Sequence, residues 1–429
     1  LRARFPDLPL TVFCPPAEHA EATALADPHL QVLGDPDADA LSAFDVVIKS
    51  PGISAYRPAL LGAAARGTRF TSGTALWFAA SLPGRKLCVT GTKGKSSTTA
   101  LLAHLLRSGG RRVGLAGNIG LPLLELVDPP QPPEFWAIEL SSYQTGDAAA
   151  PDVAVVLNLY PEHIDWHGSV ERYYADKLAL VTSASPRQVV LNHADARLRA
   201  LGETLPQVIW FNREDGWHLR DGDVFRGDAR MFAGNQLPLP GRHNLSNLCA
   251  ALAAIDAVGE DAPALVGAAS GFRGLPHRLY TLGCHQGVEY VDDSISTTPE
   301  ASLAALASFP GRRIAILLGG FDRGLPWEGV AARMGPMPPA RIVCRGPNGP
   351  RIAATLRKER PDLAVIEVAS LEQAVAAASE AAGEGGVVLL SPGAPSFPEF
   401  RDYAERGRRF ARIAGFAEQT LAIPGLGIA

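Results

Sequence analysis

The sequence predicts an α/β protein of three domains, and three observations support that class. Short runs rich in β-branched residues alternate with alanine- and leucine-rich stretches, which is the pattern of parallel sheets covered by helices. A length of 429 residues corresponds to about three domains at roughly 150 residues each. The 43 glycines and 35 prolines are spread along the chain, as expected where many short loops join the elements.

Composition and charge exclude several other classes of protein. Apolar residues make up 47% and charged residues 20% of the chain, which excludes disorder throughout. A net charge of −4 argues against a broad surface for nucleic acid or anionic lipid. No apolar run approaches the ~20 residues of a membrane span. The five cysteines lie far apart, which argues against a disulfide framework. We therefore expect a cytoplasmic protein with no nucleic-acid partner and no membrane insertion. We also expect it to be a monomer.

The first predicted domain covers residues 1–83. Leu10–Phe13, Gln31–Leu33 and Asp45–Ile48 have the pattern of strands. An open nucleotide-binding sheet normally begins with a strand and a glycine-rich turn. Here the first recognisable strand follows what looks like the end of a helix. We therefore expect the first strand and its glycine loop to be missing from this sequence.

The second predicted domain covers residues 84–273. It opens with a strand at Lys86–Thr90, has a helix at Ser246–Val258 near its end, and is followed by a linker at Gly271–Gly274. Its other predicted strands are Arg112–Ala116, Trp136–Leu140, Val153–Leu159 and Gln188–Leu191.

The third predicted domain covers residues 274–429 and repeats the alternation of strand, loop and helix. Its predicted strands are Val288–Val291, Arg313–Leu318, Ile342–Cys344, Ala364–Val368 and Val387–Leu390.

A phosphate-binding loop is the strongest motif, and it lies between a predicted strand and a predicted helix. Glycines let successive backbone N–H groups point at phosphate oxygens, and the helix N-terminus adds its dipole. Lys95 can reach the β- and γ-phosphates, and the Ser96 hydroxyl can ligate Mg²⁺. Val89 replaces the first glycine of the general motif, so an ordinary lysine-containing turn is the weaker alternative. The expected ATP-binding residues of the loop are Gly91, Thr92, Lys93, Gly94, Lys95, Ser96 and Ser97.

Polar side chains follow two further predicted strands. Glu139 ends one strand, and His163 and Asp165 follow another. Taken alone, Glu139 fits a local hydrogen bond equally well, and a single histidine is more often structural. Two acids and a histidine at strand ends, after a phosphate loop, instead favour a Mg²⁺-nucleotide site. Asn247 could contact a base edge, but in isolation we favour a helix cap. The residues therefore predict an enzyme that uses ATP and Mg²⁺.

These motifs, taken in order from about Phe44 to the C-terminus, resemble the Mur ligases of bacterial peptidoglycan synthesis. The resemblance implies a three-domain Mur ligase architecture: a Rossmann-like UDP-binding domain, a central P-loop ATPase domain and a Rossmann-like C-terminal domain. It implies an ATP-dependent ligase that adds glutamate to UDP-N-acetylmuramoyl-L-alanine. ATP would phosphorylate the alanine carboxylate, and the glutamate amine would attack the acyl phosphate, giving an amide, ADP and phosphate.

The resemblance also implies roles at the reacting centre. Lys95 would contact the ATP phosphates, Ser96 and Glu139 would ligate a first Mg²⁺, and His163 a second. Lys177 matches a lysine that the family carbamylates with CO₂, which would make it an anionic oxygen ligand. Without the resemblance, Lys177 would be interpreted as a solvated lysine on a helix.

Further nucleotide contacts are implied outside the phosphate loop. Asn247 would contact adenine, Asp293 the ribose, and Arg278 would reach ATP from the third domain. The UDP-linked substrate is expected at the Ser50-Pro51-Gly52-Ile53 loop and near Asn118 and His163. The residues expected to contact this substrate are Ser50, Gly52, Asn118 and His163.

The third domain departs from the D-glutamate enzymes of the family. Residues 294–299 read Ser-Ile-Ser-Thr-Thr-Pro, where those enzymes carry Ser-Lys-Ala-Thr-Asn. Arg323 stands where they carry a lysine that contacts the carboxylate of the amino acid. The residues expected to bind glutamate are Thr297, Arg323, Ser396 and Tyr403.

The motifs at these positions resemble those of the family branch that adds L-glutamate. We therefore expect an L-glutamate ligase, and the D-glutamate ligase is the alternative. Both enantiomers present the same groups, so only the resemblance bears on handedness. A folate polyglutamate ligase fits less well, because a whole domain precedes the phosphate loop. A nucleotide-binding scaffold would not need Glu139, His163 and Lys177 together.

Overall fold

The computed structural model describes Arg2 and residues 4–239, 241–335, 337–417 and 426–429. Strands and helices alternate along these ranges, so the predicted α/β class is confirmed. The strands form four sheets of two, ten, six and two strands. Among the described residues, no helix is both long enough and apolar enough to cross a membrane.

The N-terminal part contains two short parallel strand pairs. Its elements are β1 (Leu10–Phe13), α1 (His19–Thr23), β2 (Leu30–Leu33), α2 (Ala38–Ser42), β3 (Val46–Lys49), α3 (Pro58–Ala65), β4 (Arg69–Ser72) and α4 (Gly73–Ala79). β1 pairs with β2, and β3 pairs with β4. No strand among the described residues joins the two pairs. The expectation of a missing first strand stays a prediction.

The central part is built on one ten-stranded sheet. Its elements are β5 (Arg85–Thr90), α5 (Lys95–Ser108), β6 (Val113–Gly117), β7 (Phe135–Glu139), β8 (Val153–Val156), α6 (Ile164–His167), α7 (Val170–Thr182), β9 (Gln188–Asn192), α8 (Ala196–Gly202), β10 (Ile209–Phe211), β11 (Trp217–Arg220), β12 (Asp223–Arg226), β13 (Ala229–Phe232), α9 (Arg242–Ala257) and α10 (Ala262–Leu265). β5 lies between β7 and β8, and β6 follows β7.

Both faces of the central sheet are buried, as the continuous apolar strands predict. Leu87 and Val89 of β5 pack with α5 and α9 on one face. Cys88 points to the other face and packs with Leu180 of α7. Two helical layers therefore hold the carboxyl ends of β5, β7 and β8 in fixed positions.

The C-terminal part is a six-stranded sheet in the order β14-β15-β19-β16-β17-β18. Its elements are β14 (Tyr280–His285), β15 (Val288–Asp292), α11 (Pro299–Ala307), β16 (Ile314–Leu318), α12 (Val330–Arg333), β17 (Arg341–Cys344), α13 (Gly349–Glu359), β18 (Val365–Glu367), α14 (Leu371–Ala382), β19 (Val387–Leu390) and α15 (Tyr403–Ile413). Only β14 is antiparallel to its neighbour. Because β19 returns between β15 and β16, the loops after these three strands open at one edge, where α/β sheets bind ligands.

The last described residues return to the central sheet. β20 (Gly427–Ile428) pairs antiparallel with β6. The Val113 amide donates to the Ala429 carbonyl at 2.8 Å. The sequence analysis did not predict this strand, because two residues carry no periodicity.

The predicted strands are all present, with shifts at their ends. Leu157–Leu159, predicted as strand, is instead loop. The Asn158 carbonyl accepts a hydrogen bond from the Thr92 amide at 2.9 Å. The backbone of this segment is therefore hydrogen-bonded to the phosphate loop instead of to a neighbouring strand. The strands β4, β10–β14 and β20 were not predicted.

Candidate active site

The predicted phosphate loop connects β5 to α5 at the carboxyl edge of the central sheet. Gly91 and Gly94 have φ values of +152° and +84°, which residues with a Cβ atom rarely adopt. The Thr92 hydroxyl accepts from the Tyr160 amide at 2.9 Å and lies 2.8 Å from the Tyr173 hydroxyl. The loop is thus held by the segment after β8 and by α7.

Asn247 supports this loop from below. It lies inside α9 and is buried, so the helix-cap interpretation is wrong; the residue before the helix is Gly241. A Cβ atom at Gly94 would lie 2.5 Å from Asn247 Oδ1. The contact with adenine stays a prediction.

Replacing Gly94 with alanine should therefore weaken ATP binding by roughly tenfold or more, since a strained φ and a steric contact each cost about 1–2 kcal/mol. Gly110→Ala is the matched control, because Gly110 has φ +78° but no atom of the described residues lies within 4 Å of its Cβ position. Titration calorimetry with ATP would compare the two. Equal ATP affinity in both variants would contradict the proposed fit between Gly94 and Asn247.

Lys95 lies folded over the loop. Its Nζ donates to the carbonyls of Gly91 and Thr92, both at 3.0 Å. Burial lowers the pKa of Lys95, Glu139 raises it, and Arg278 lowers it. Arg278 follows the linker to the C-terminal sheet, so a cation from that part acts on the phosphate loop.

Glu139 ends β7 and is 1% exposed. Its Oε1 accepts from Asn118 Nδ2 at 2.9 Å, whereas its buried Oε2 has no hydrogen-bond partner among the described residues. A buried carboxylate oxygen without a partner is costly unless a cation balances it. Its position beside a phosphate loop therefore fits a Mg²⁺ ligand. Asn118 orients that carboxylate, in addition to any contact with substrate.

Lys177 is 2% exposed, so the interpretation as a solvated lysine is wrong. Its Nζ donates to the Gly91 carbonyl at 3.0 Å. Burial, and secondly the charge of Lys95, lowers the pKa of Lys177 to about 7. The buried positions of α7 include 173, 177, 180 and 181, a helical spacing that could have indicated that Lys177 faces inward.

His163 and Glu162 lie at the mouth of the loop. The Glu162 carboxylate accepts from Lys93 Nζ at 2.7 Å, and His163 Nε2 lies 3.8 Å from the same carboxyl group. Burial lowers the pKa of His163. Within the described ranges, no group of three or more His, Cys, Asp or Glu side chains could hold a metal by itself. A Mg²⁺ here would therefore share its shell with phosphate oxygens and water, as this ion commonly does.

Asp293 does not face solvent. Its Oδ2 accepts from the hydroxyls of Ser296 and Ser391 at 2.5 and 2.7 Å, and its Oδ1 accepts from the Leu279 amide at 3.1 Å. Burial raises its pKa to about 6. In this conformation Asp293 ties the loops after β15 and β19 together. The ribose contact stays a prediction.

Of the four residues expected to bind glutamate, Thr297, Arg323 and Ser396 lie on the loops after β15, β16 and β19, and Tyr403 is the first residue of α15. Ser396 is buried, Thr297 is half-buried, and Arg323 and Tyr403 are exposed. The Arg323 guanidinium lies 6.0 Å from the centre of the Phe397 ring. The strand order thus places loops that are about 100 positions apart in sequence at the same edge of the sheet.

The loop expected to hold the UDP diphosphate docks on the segment after His163. Ser50 and Gly52 are exposed. Trp166 Nε1 donates to the Pro51 carbonyl at 3.2 Å, and Ser54 Oγ donates to the Trp166 carbonyl at 2.6 Å. The N-terminal part therefore reaches the same edge of the central sheet as the phosphate loop.

A buried polar chain behind Lys177 was missed. His167 lies 3.0 Å from Ser142 Oγ through Nε2 and 2.6 Å from Asp176 Oδ2 through Nδ1. The Tyr56 hydroxyl donates to Asp176 Oδ1 at 2.7 Å. Asp176 lies on α7 directly before Lys177, so this series of hydrogen bonds holds the part of α7 that carries Lys177. No local sequence pattern distinguishes His167 from an ordinary surface histidine, so its burial could not be predicted from the sequence.

Two family models match the chain. The Mur ligase middle domain matches residues 89–255, and the Mur ligase, glutamate ligase domain matches residues 277–393. The UDP-N-acetylmuramoyl-L-alanine--L-glutamate ligase of Xanthomonas axonopodis pv. citri is 55% identical over 442 residues, covering 100% of this chain and 94% of the relative. The ligase of the same name from Micromonospora sp. is 40% identical over 90% of this chain and 86% of its own length.

Solved structures show the same fold at low sequence identity. MurF ligase from Thermotoga maritima, solved in complex with ADP, has a TM-score of 0.59 at 19% identity and covers 89% of this chain and 98% of its own. UDP-N-acetylmuramate-alanine ligase MurC from the same organism also has a TM-score of 0.59 at 19% identity, with 94% and 92% covered.

Proposed function

Because this chain belongs to the Mur ligase family, we propose that it joins L-glutamate to the alanine carboxyl group of UDP-N-acetylmuramoyl-L-alanine, using ATP. The observation that carries the proposal is 55% identity along the whole chain to relatives named for that reaction. Two features of the central part support it: the phosphate loop between β5 and α5, and the buried carboxylate of Glu139 at the end of β7.

The chemistry must overcome repulsion between a carboxylate and a triphosphate. Lys95 and the backbone N–H groups of the loop bind the phosphates, and Arg278 adds positive charge from the third part. The alanine carboxylate attacks the γ-phosphorus, ADP leaves, and an acyl phosphate forms. The glutamate amine then attacks the acyl carbon, and the tetrahedral intermediate releases phosphate as the amide forms.

The proposal includes two Mg²⁺ ions held by Ser96, Glu139, His163 and a modified Lys177. The Oε2 of Glu139, which has no hydrogen-bond partner in the described ranges, supports the first of them. When bound, Mg²⁺ would neutralise charge on the phosphate oxygens.

The proposal also includes a CO₂-derived carbamate on Lys177. An amine must be neutral to react with CO₂, and the lowered pKa of Lys177, about 7, leaves a substantial neutral fraction at neutral pH. The carbamate would give Lys177 a negative charge, so that the neighbouring positive charge of Lys95 would attract it instead of repelling a second ammonium group. It would also turn a hydrogen-bond donor into an oxygen ligand.

The deciding experiment supplies purified protein with UDP-N-acetylmuramoyl-L-alanine, ATP and Mg²⁺, together with either L- or D-glutamate. We expect phosphate release and a product heavier by one glutamyl residue with L-glutamate. Turnover with D-glutamate alone would overturn the handedness. No turnover with either enantiomer would overturn the ligase assignment.

A further inference from the structure

Arg345 is a buried cation at the carboxyl edge of the C-terminal sheet, outside the residues used above. It directly follows β17 and is 5% exposed. Its Nη2 forms an ion pair with Glu399, whose side chain is 44% exposed. Glu399 belongs to the segment after β19, and β16 lies between β17 and β19. The Arg345 side chain therefore crosses the carboxyl end of β16, at the edge that carries Arg323 and Ser396.

A second buried cation approaches the same point from α15. Arg406 is 1% exposed and donates to the carbonyls of Ser294 and Ala394 at 2.8 and 3.0 Å. Its Nη1 would lie 3.1 Å from a Cβ atom at Gly320, the second residue after β16. Burial lowers the pKa of Arg406 to about 10, and the charge of Arg345 contributes in the same direction.

Both guanidinium groups have unused donors. Arg345 Nε and Arg406 Nη1 are buried without a hydrogen-bond partner in the part of the chain that the structure describes. Buried donors on charged groups are costly to leave unpaired. Two neighbouring cations whose N–H groups lack partners among the described residues thus concentrate positive charge at this edge, which favours an anion.

Glu399, the ion-pair partner of Arg345, indicates which class of anion would bind there. Glu399 offers a carboxylate, and the planar fork of arginine matches that group with two donors. Being half-exposed, Glu399 can turn toward solvent at little cost, whereas Arg345 is held among buried neighbours. A substrate carboxylate can therefore replace it.

We infer that Arg345 binds the side-chain carboxylate of the incoming glutamate, and that Glu399 occupies this place before the amino acid enters. The inference rests on the proposed function, which makes glutamate the substrate. Glutamate carries two carboxylates, and the expected Arg323 on the neighbouring loop takes the other. Arg345 would thereby determine specificity for glutamate over amino acids with an uncharged side chain.

The test compares L-glutamate with L-glutamine as acceptors for the wild type, Arg345→Met and Arg345→Lys. We expect the KM for L-glutamate to rise about 30-fold or more in Arg345→Met, with an intermediate rise in Arg345→Lys, because a buried charged partner is lost. The preference for glutamate over glutamine should fall roughly tenfold or more, with KM values for ATP and the UDP-linked substrate within about threefold. Equal losses for both amino acids would overturn the inference.

Two further variants separate binding from a structural brace. Arg341→Met removes an arginine at the opposite end of β17 and should leave the KM for L-glutamate unchanged. Glu399→Gln removes the internal competitor, so the KM for L-glutamate should stay the same or fall. A rise as large as that of Arg345→Met would overturn the inference, since the ion pair itself would then be what matters. Wild-type turnover of L-glutamate in the same assay tests the proposed function separately.

Discussion

Lys177→Ala should lose most of its ligase activity, with kcat about 100- to 1,000-fold below the wild type. The side chain is buried against the phosphate loop, where its Nζ contacts the Gly91 carbonyl. Removing one preorganised charged group from such a site typically costs about 3–4 kcal/mol. Because the proposed carbamate of Lys177 is an anionic oxygen ligand, short-chain carboxylic acids should enter the space and restore part of the rate.

The control for this variant is Lys358→Ala, because Lys358 is exposed on α13. It should keep wild-type kcat and should not respond to added acids. Thermal unfolding of Lys177→Ala checks that the fold persists. A variant that folds and keeps wild-type kcat would contradict the role of Lys177, and loss of activity without any rescue would contradict the carbamate.

The wild-type enzyme should also respond to pH and dissolved CO₂ through this residue. The pKa of Lys177 is lowered to about 7, so the amine is increasingly protonated as pH falls below that value. A protonated amine does not react with CO₂. We expect kcat to fall from about pH 8 to about pH 6, and degassed buffer to slow the enzyme reversibly. A rate independent of bicarbonate would contradict the modification.

Glu139→Gln should give the second large effect. We expect kcat to fall roughly 100-fold, and the Mg²⁺ concentration for half-maximal rate to rise about tenfold or more, because an amide is a weaker ligand than a carboxylate. The amide oxygen can keep the hydrogen bond from Asn118 Nδ2. The free protein should not be less stable, since the variant removes a buried charge whose Oε2 has no hydrogen-bond partner among the described residues.

Asn118→Ala is the matched comparison for Glu139→Gln. It removes the hydrogen bond to Oε1 but keeps the carboxylate, so its Mg²⁺ dependence should change less than that of Glu139→Gln. An unchanged Mg²⁺ dependence in Glu139→Gln would contradict metal binding. A lower melting temperature in both variants would instead indicate that the pair is structural.

The phosphate loop could be predicted because its parts are contiguous. A strand, a glycine-rich turn and a helix start occupy residues 85–108, and each is specified by neighbours a few positions away. The same is true of the parallel strands, whose apolar runs reflect burial on both faces. β11–β13 were missed because exposed charged residues interrupt these partly buried strands and weaken their apolar signal, as Arg220 and Arg226 do.

The side chains that act through distant partners could not be predicted in this way. The unpartnered oxygen of Glu139 and the cation pair of Arg345 and Arg406 depend on segments that are far apart in sequence. The buried chain from Tyr56 to His167 spans 111 positions and joins the N-terminal part to α7. The resemblance to the Mur ligases pointed to Lys177, but not to the burial that lowers its pKa.

The linear sequence was therefore sufficient for the α/β class, the order of its elements and the phosphate loop, because these depend on hydropathy and turn residues within short windows. Only the tertiary structure decided which titratable groups lose water and which charges meet. The loss of water and the pairing of charges both depend on how the carboxyl edges of two sheets are packed. At such an edge, the residues that exclude water from a side chain can be hundreds of positions away in the sequence.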